Sequence, residues 1–161
     1  MGKGKTTAAM GLTMRAVGAG LKVYIAQFMK FGEYSEIKTL KKFSDVITVE
    51  QFGSGQFIIE KPSKKDIEIV RKGFGIVKAA ITSERYDLVI LEEASVAVKL
   101  GLINEQDILS LISEKPSGVE LVITGRHASQ KMIQLADLVT EMKEIKHYYK
   151  KGVNARPGIE N

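Results

Sequence analysis

Cysteine and tryptophan are both missing from this 161-residue chain, and proline occurs only three times. Without cysteine there can be no disulfide framework and no thiolate metal site. That fits a reducing compartment, and the expectation is a cytoplasmic protein. No apolar run approaches the length of a membrane span, and nothing resembles a secretory signal. A net charge of +5 would suit an anionic ligand or a nucleic-acid surface. There is no stripe of interleaved aromatic and basic residues, so nucleic acid is not expected as a partner. No internal repeat, linker or low-complexity segment is present. What remains is ordinary for a globular protein: 44% hydrophobic and 27% charged residues. The length suits one domain over 1–161, with 145–161 as an irregular, basic and aromatic tail.

The strongest signal is GKGKTTAAMG, from Gly2 to Gly11. Gly2 and Gly4 allow a tight turn whose N–H groups point inward at an anion. Lys5 supplies a mobile cation for phosphates, and the Thr6 hydroxyl is placed to hold Mg²⁺. The following TTAAMGLTMRAVGAG reads as a helix whose positive N-terminal end faces the same phosphates. A flexible Gly/Lys-rich terminus before an unrelated helix is the bland alternative. The usual motif, however, opens with a further Gly and follows a hydrophobic strand. Neither precedes Gly2. The expectation is therefore a missing first strand, with about ten or more residues upstream in the functional protein. The sheet should then show a vacant or otherwise filled strand position beside the strand ending at Glu92, because strands pair only at about 4.8 Å.

Strand and helix signals then alternate. LKVYIAQF (21–28) reads as a strand, with Lys30 in the loop at its carboxyl end, and 34–43 as a helix. A second strand covers 45–52. After it, the loop opening Gly53-Ser54-Gly55-Gln56-Phe57 is either a mobile binding loop or an ordinary connection whose Phe57 and Ile58 pack on a neighbour; the residues leave both open. A helix over 64–85 carries Gly73 and Gly75, which weaken it. YDLVILEEAS (86–95) is an apolar strand ending in acid. After a phosphate loop this points to a carboxylate holding Mg²⁺, with Glu92 on the metal side and Glu93 as the next candidate. Asn104 caps a short helix near 107–112. VELVITGRH (119–127) is a strand ending at Arg126, well placed to stabilise phosphate charge, and a helix (129–136) and a last short strand (137–142) follow. The alternation implies an α/β fold, a mostly parallel sheet with helices on both faces. Right-handed crossovers bring the phosphate loop, Lys30, Phe57, Glu92 and Arg126 to one edge.

Nearly the whole chain resembles the P-loop type ATP:cob(I)alamin (corrinoid) adenosyltransferases. The resemblance is carried by GKGKTTAAMG with RAVGAG, AQFMKFGE, FGSGQF, YDLVILEEAS, VITGRHA with LADLVTEM, and above all the ending IKHYYKKGVNARPGIEN. It implies a RecA-like P-loop domain that binds ATP with Mg²⁺ or Mn²⁺ and takes a corrinoid as co-substrate. A reduced Co(I) corrinoid attacks the ribose 5′ carbon and triphosphate leaves. Cobalt is then the nucleophile, so the protein needs no activated Ser, Cys or His. Its tasks are alignment and stabilisation of leaving-group charge.

By this resemblance Gly2, Lys3, Gly4, Lys5, Thr6 and Thr7 form the ATP loop, with Lys5, Thr6 and Glu92 as the catalytic set. Thr6, Glu92 and Glu93 are the metal-side residues. Arg15 and Arg126 are further candidates for the triphosphate. Glu92 stands where the family more often has Asp, which implies a longer-armed or water-mediated metal contact. Phe57 sits near the family's aromatic that displaces the corrinoid's lower axial ligand, easing reduction to Co(I); an accompanying Trp of some members has no counterpart. The family also implies a homodimer and a reduced flavoprotein as electron donor. Two other readings stay open: a conventional P-loop kinase or ATPase, and a non-catalytic nucleotide-binding module.

Overall fold

A computed structural model describes residues 3–56, 58 and 61–160. The chain starts with helix α1 (Lys5–Gly18) and alternates through β1 (Val23–Phe28), α2 (Ser35–Leu40), β2 (Ile47–Phe52), α3 (Lys64–Thr82) and β3 (Leu88–Glu92). Helices α4 (Ala94–Lys99) and α5 (Glu105–Glu114), strand β4 (Glu120–Ile123) and helix α6 (Gln130–Leu135) complete the regular part. The strands form one four-stranded sheet in the order β2-β1-β3-β4, and every pairing is parallel. This is the expected α/β architecture. No described helix is long and apolar enough to cross a membrane.

The pleat sorts the side chains into two cores, because alternate residues of a strand face opposite sides. Tyr24, Ala26 and Phe28 of β1 and Val89 and Leu91 of β3 face one side, where Val70, Phe74, Val77 and Ile81 of α3 cover them. Val23, Ile25, Leu88 and Ile90 face the other, against Ala9 and Ala16 of α1 and Ile37 and Leu40 of α2. β1 and β3 are buried along their whole length, as central parallel strands covered by helices must be. By the same parity Gln27 and Glu92, one step beyond the apolar residues, lie on the α1 side. That parity decides where the chemistry sits.

The strand position beside β3 is filled, and two other expectations are corrected. The position beside β3 is not vacant: β1 lies on one flank and β4 on the other, both in continuous register from Leu88. Direct pairing gives the backbone groups of β3 partners along both edges. Residues 137–142 are irregular rather than a strand, with Leu138 85% and Val139 54% exposed. A segment that pairs with no sheet edge does not become a strand, whatever its propensity. The tail is not wholly irregular either, since Tyr148–Lys151 forms a 3₁₀ turn, started by the Tyr149 N–H donating to His147 Nδ1 at 3.1 Å.

Candidate active site

Gly4 is the residue before α1 and has φ 109°, a left-handed conformation that a side chain would disfavour. This turn aims the opening of α1 at a cleft of about 860 Å³. The first turn of any helix has N–H groups without helical acceptors, which is what an anion needs. Lys3, Gly4, Lys5, Thr6 and Thr7 all line the cleft, and Lys30 and Arg126 join them from the ends of β1 and β4. A smaller cavity of about 420 Å³ lies elsewhere, between Arg71, Phe74 and Leu102.

Glu92 is the centre of the arrangement. It is fully buried and is held by polar side chains. Its Oε1 accepts from the Thr6 hydroxyl and from Lys30 Nζ at 2.7 Å; its Oε2 accepts from Gln27 Nε2 at 2.6 Å. Leaving such a carboxylate without these partners would cost several kcal/mol. Lys30 reaches it because Met29 takes a left-handed turn (φ 58°) directly after β1. The Lys30 ammonium also lies 5.6 Å from the centre of the Tyr34 ring.

Glu93 parts from Glu92 at once. It has φ 59°, turning the chain into α4, and its N–H donates to Thr124 Oγ1 at 3.2 Å. It does not line the cleft. Arg126 is held through its backbone: Ser95 of α4 donates from Oγ to the Arg126 carbonyl at 3.0 Å. Arg15 lies ten residues beyond Lys5 on α1, about 15 Å at the helical rise, is exposed and does not line the cleft. Gly2 and Phe57 fall outside the described residues.

A divalent cation can be tested against this donor set. Among the described residues no group of three or more His, Cys, Asp or Glu could hold a metal. What the structure does offer is a hydroxyl and a carboxylate in direct contact, Thr6 and Glu92, at the opening of α1. Mg²⁺ prefers such a site: one or two hard protein oxygens, with phosphate oxygens and water for the rest. The residues fit.

The tail supplies what the residue pattern alone did not assign. Lys3 Nζ donates to Tyr148 Oη at 2.7 Å and to Glu160 Oε1 at 3.0 Å. Arg156 donates to the same carboxylate, at 2.7 Å from its N–H and 3.0 Å from Nη2, and Tyr148 donates to it as well. Arg156, Tyr148 and Lys3 hold the Glu160 carboxyl well below the usual carboxylate range. Tyr148 and Glu160 in turn raise Lys3 above the usual lysine value. His147, Ile159 and Glu160 thus line the cleft facing the phosphate loop, and Met10 and Met14 of α1 give it an apolar side. The tail's density of charged and aromatic residues was the available signal; its contact with Lys3 was not readable from spacing.

Comparison with known proteins points the same way. A family model described as ATP:corrinoid adenosyltransferase BtuR/CobO/CobP matches residues 1–161. A corrinoid adenosyltransferase of Sinorhizobium sp. is 34% identical, over 99% of this chain and 76% of its own length. One from Pseudomonas aeruginosa is 32% identical over 99% and 79%, and one from Escherichia coli K12 is 30% identical over 99% and 81%.

Proposed function

This chain belongs to the ATP:corrinoid adenosyltransferase family, and from that premise we propose how its own residues carry the reaction. It is a P-loop type transferase that moves the 5′-deoxyadenosyl group of ATP to a reduced corrinoid. The cobalt electron pair forms the Co–C5′ bond while the C5′–O bond breaks, and that bonding pair leaves on triphosphate. Co(I) becomes formally Co(III), and no further oxidant is needed.

The observation that carries the residue assignment is the buried Glu92 joining Thr6 and Lys30 at the mouth of the phosphate helix. The amides of the α1 turn and Lys5 hold the triphosphate and stabilise its charge as it departs. Thr6 and Glu92 would hold Mg²⁺, or Mn²⁺ with its similar oxygen preference, which supplies further neutralisation of the leaving group. Arg126, lining the cleft from the end of β4, is suited to the outer phosphate oxygens. Arg15 and Glu93 take lesser parts, since neither lines the cleft. Phe57, in the loop after β2, is proposed to face the corrinoid and displace its lower axial ligand. The resemblance further supports a cytoplasmic homodimer that receives electrons from a reduced flavoprotein; light scattering of the purified protein tests the dimer.

The test is incubation with MgATP and chemically reduced cobalamin. Adenosylcobalamin with one equivalent of triphosphate is expected; ADP or orthophosphate in its place would favour a kinase or ATPase. Lys5→Ala should lower kcat/KM by at least about 100-fold, on the order of 3 kcal/mol of transition-state stabilisation, with the fold intact. Turnover near the wild-type rate would remove Lys5 from the leaving-group role. Phe57→Ala should impair reaction from Co(II) corrinoid with a weak reductant far more than reaction from pre-reduced Co(I), whereas equal losses would reduce Phe57 to packing.

A further inference from the structure

Each position of β1 is buried, and five of its six residues, VYIAQF, are apolar or aromatic. Gln27 is the exception, with no exposed surface. A buried primary amide is disfavoured unless all its polar atoms are used. Here they are used along one row of the sheet. Gln27 is the Cα partner of Gln51 in β2 on one side and of Glu92 in β3 on the other. The three side chains share the α1 face and bond in sequence across three strands. Gln27 Nε2 donates to Glu92 Oε2 at 2.6 Å, and Gln51 Nε2 donates to Gln27 Oε1 at 2.8 Å.

The row ends on a loop. Gln51 clamps Gly32 at two points, accepting from its N–H at Oε1 (3.1 Å) and donating from Nε2 to its carbonyl (3.1 Å). Gly32 stands between Lys30, which is paired with Glu92, and Tyr34 at the cleft wall. One series of donors runs from the loop to the carboxylate, Gly32 N–H to Gln51, Gln51 to Gln27 and Gln27 to Glu92, while Gln51 Nε2 also donates back to the Gly32 carbonyl. Hydrogen bonds chained in one direction polarise and reinforce one another.

We propose that Gln27 and Gln51 are positioning residues for the adenosyl transfer, holding Glu92 so that only Oε1 faces the phosphate loop and coupling that carboxylate to the order of the 29–34 loop. Neither amide touches substrate. Glu92 then presents a single oxygen to Thr6, to Lys30 and to the metal–triphosphate complex, because Oε2 is retained by Gln27. Nucleotide loading at Glu92 is felt at Gly32 through two amides, not through the backbone alone. This inference rests on the assignment of Glu92 to the nucleotide site.

Backbone hydrogen exchange at Gly32, measured with and without MgATP, tests it. MgATP is expected to slow Gly32 exchange in the wild-type protein, and to leave it unchanged in Gln27→Leu at saturating nucleotide. Gln27→Leu and Gln51→Leu should each weaken MgATP binding about tenfold, from loss of support to a charged acceptor. The double variant should bind no worse than either single one, since both break the same chain. If Gln27→Leu does not fold, Gln51→Leu on the edge strand, which itself removes the acceptor of the Gly32 N–H, is read by MgATP affinity. A Gly32 amide that still responds to MgATP in the variant, or losses that multiply in the double variant, would overturn the coupling. The readout needs no corrinoid, so a protein that binds MgATP but does not adenosylate would refute the reaction and leave the coupling of Glu92 to the 29–34 loop standing.

Discussion

Gly73 and Gly75 sit two residues apart in α3, and from helix propensity alone they are equivalent weak points. Their surroundings differ completely. A Cβ at Gly73 would come within 2.2 Å of the Phe52 ring, whereas one at Gly75 would meet nothing within 4 Å. Gly73 is therefore a contact residue that lets α3 settle on the end of β2. Gly75→Ala should raise stability by about 0.5–1 kcal/mol, the ordinary gain in a helix interior. Gly73→Ala should lower it by about 1–3 kcal/mol despite the same propensity gain, because the clash is with a buried ring. Thermal unfolding of the two variants checks the pair; a matching shift in both would mean that Phe52 moves aside freely.

At the scale of elements, α3 shows how local chemistry defines a boundary. Ser63 accepts from the Asp66 N–H at 3.1 Å, and Asp66 Oδ2 accepts from the Ser63 N–H at 2.9 Å, closing a reciprocal cap. The hydroxyls of Ser54 and Ser63 hold the Asp66 carboxyl below its ordinary range. A carboxyl depressed by folding stabilises the native state above its unfolded pKa, and that contribution disappears as pH falls through the lower folded value. Ser63→Ala should thus cost about 1 kcal/mol at pH 7 and progressively less below about pH 4 in denaturant titrations. A loss independent of pH would separate the cap from Asp66.

Elements with their own periodicity or caps were legible: α1, α3, α5 with its Asn104 cap, and the buried strands up to Glu92. The helix ASVAVK of α4 was not, being six residues rich in β-branched valine. Residues 137–142 misled in the opposite sense, since strand formation depends on an available edge that no local pattern reveals. For the site, the partition of Glu92 and Glu93 followed from the strand's parity. The Gln27–Gln51 row needed the register of three strands and could not be read from one.

For the whole molecule, the notable contact joins residues far apart in sequence. Lys3 and Glu160 are 157 positions apart in sequence, Lys3 and Tyr148 145 apart. Glu160→Gln should loosen the tail, seen as faster tryptic cleavage after Lys150 and Lys151, and should weaken MgATP binding because Lys3 is no longer held. With its carboxyl lowered by Arg156, Tyr148 and Lys3, Glu160 stays charged well into the acid range. Tail amides should therefore remain equally protected at pH 7 and pH 5, after correction for intrinsic exchange. Loss of protection already at pH 5 would mean that the carboxylate does not hold the tail.

That contact also imposes an order in time. Strands β1 and β2 are near neighbours in sequence, and the sheet can assemble from contacts that close early. The Lys3–Glu160 contact spans almost the entire chain, and has no framework to close on until the sheet has brought α1 and the tail together. Regaining the fold and regaining the ability to grip nucleotide should then be separate events. In stopped-flow refolding the far-ultraviolet circular dichroism of the sheet should return first, and binding of a fluorescent ATP analogue should lag behind it. The youngest part of the native structure, counted from the start of folding, is the contact between the tail and the opening of α1.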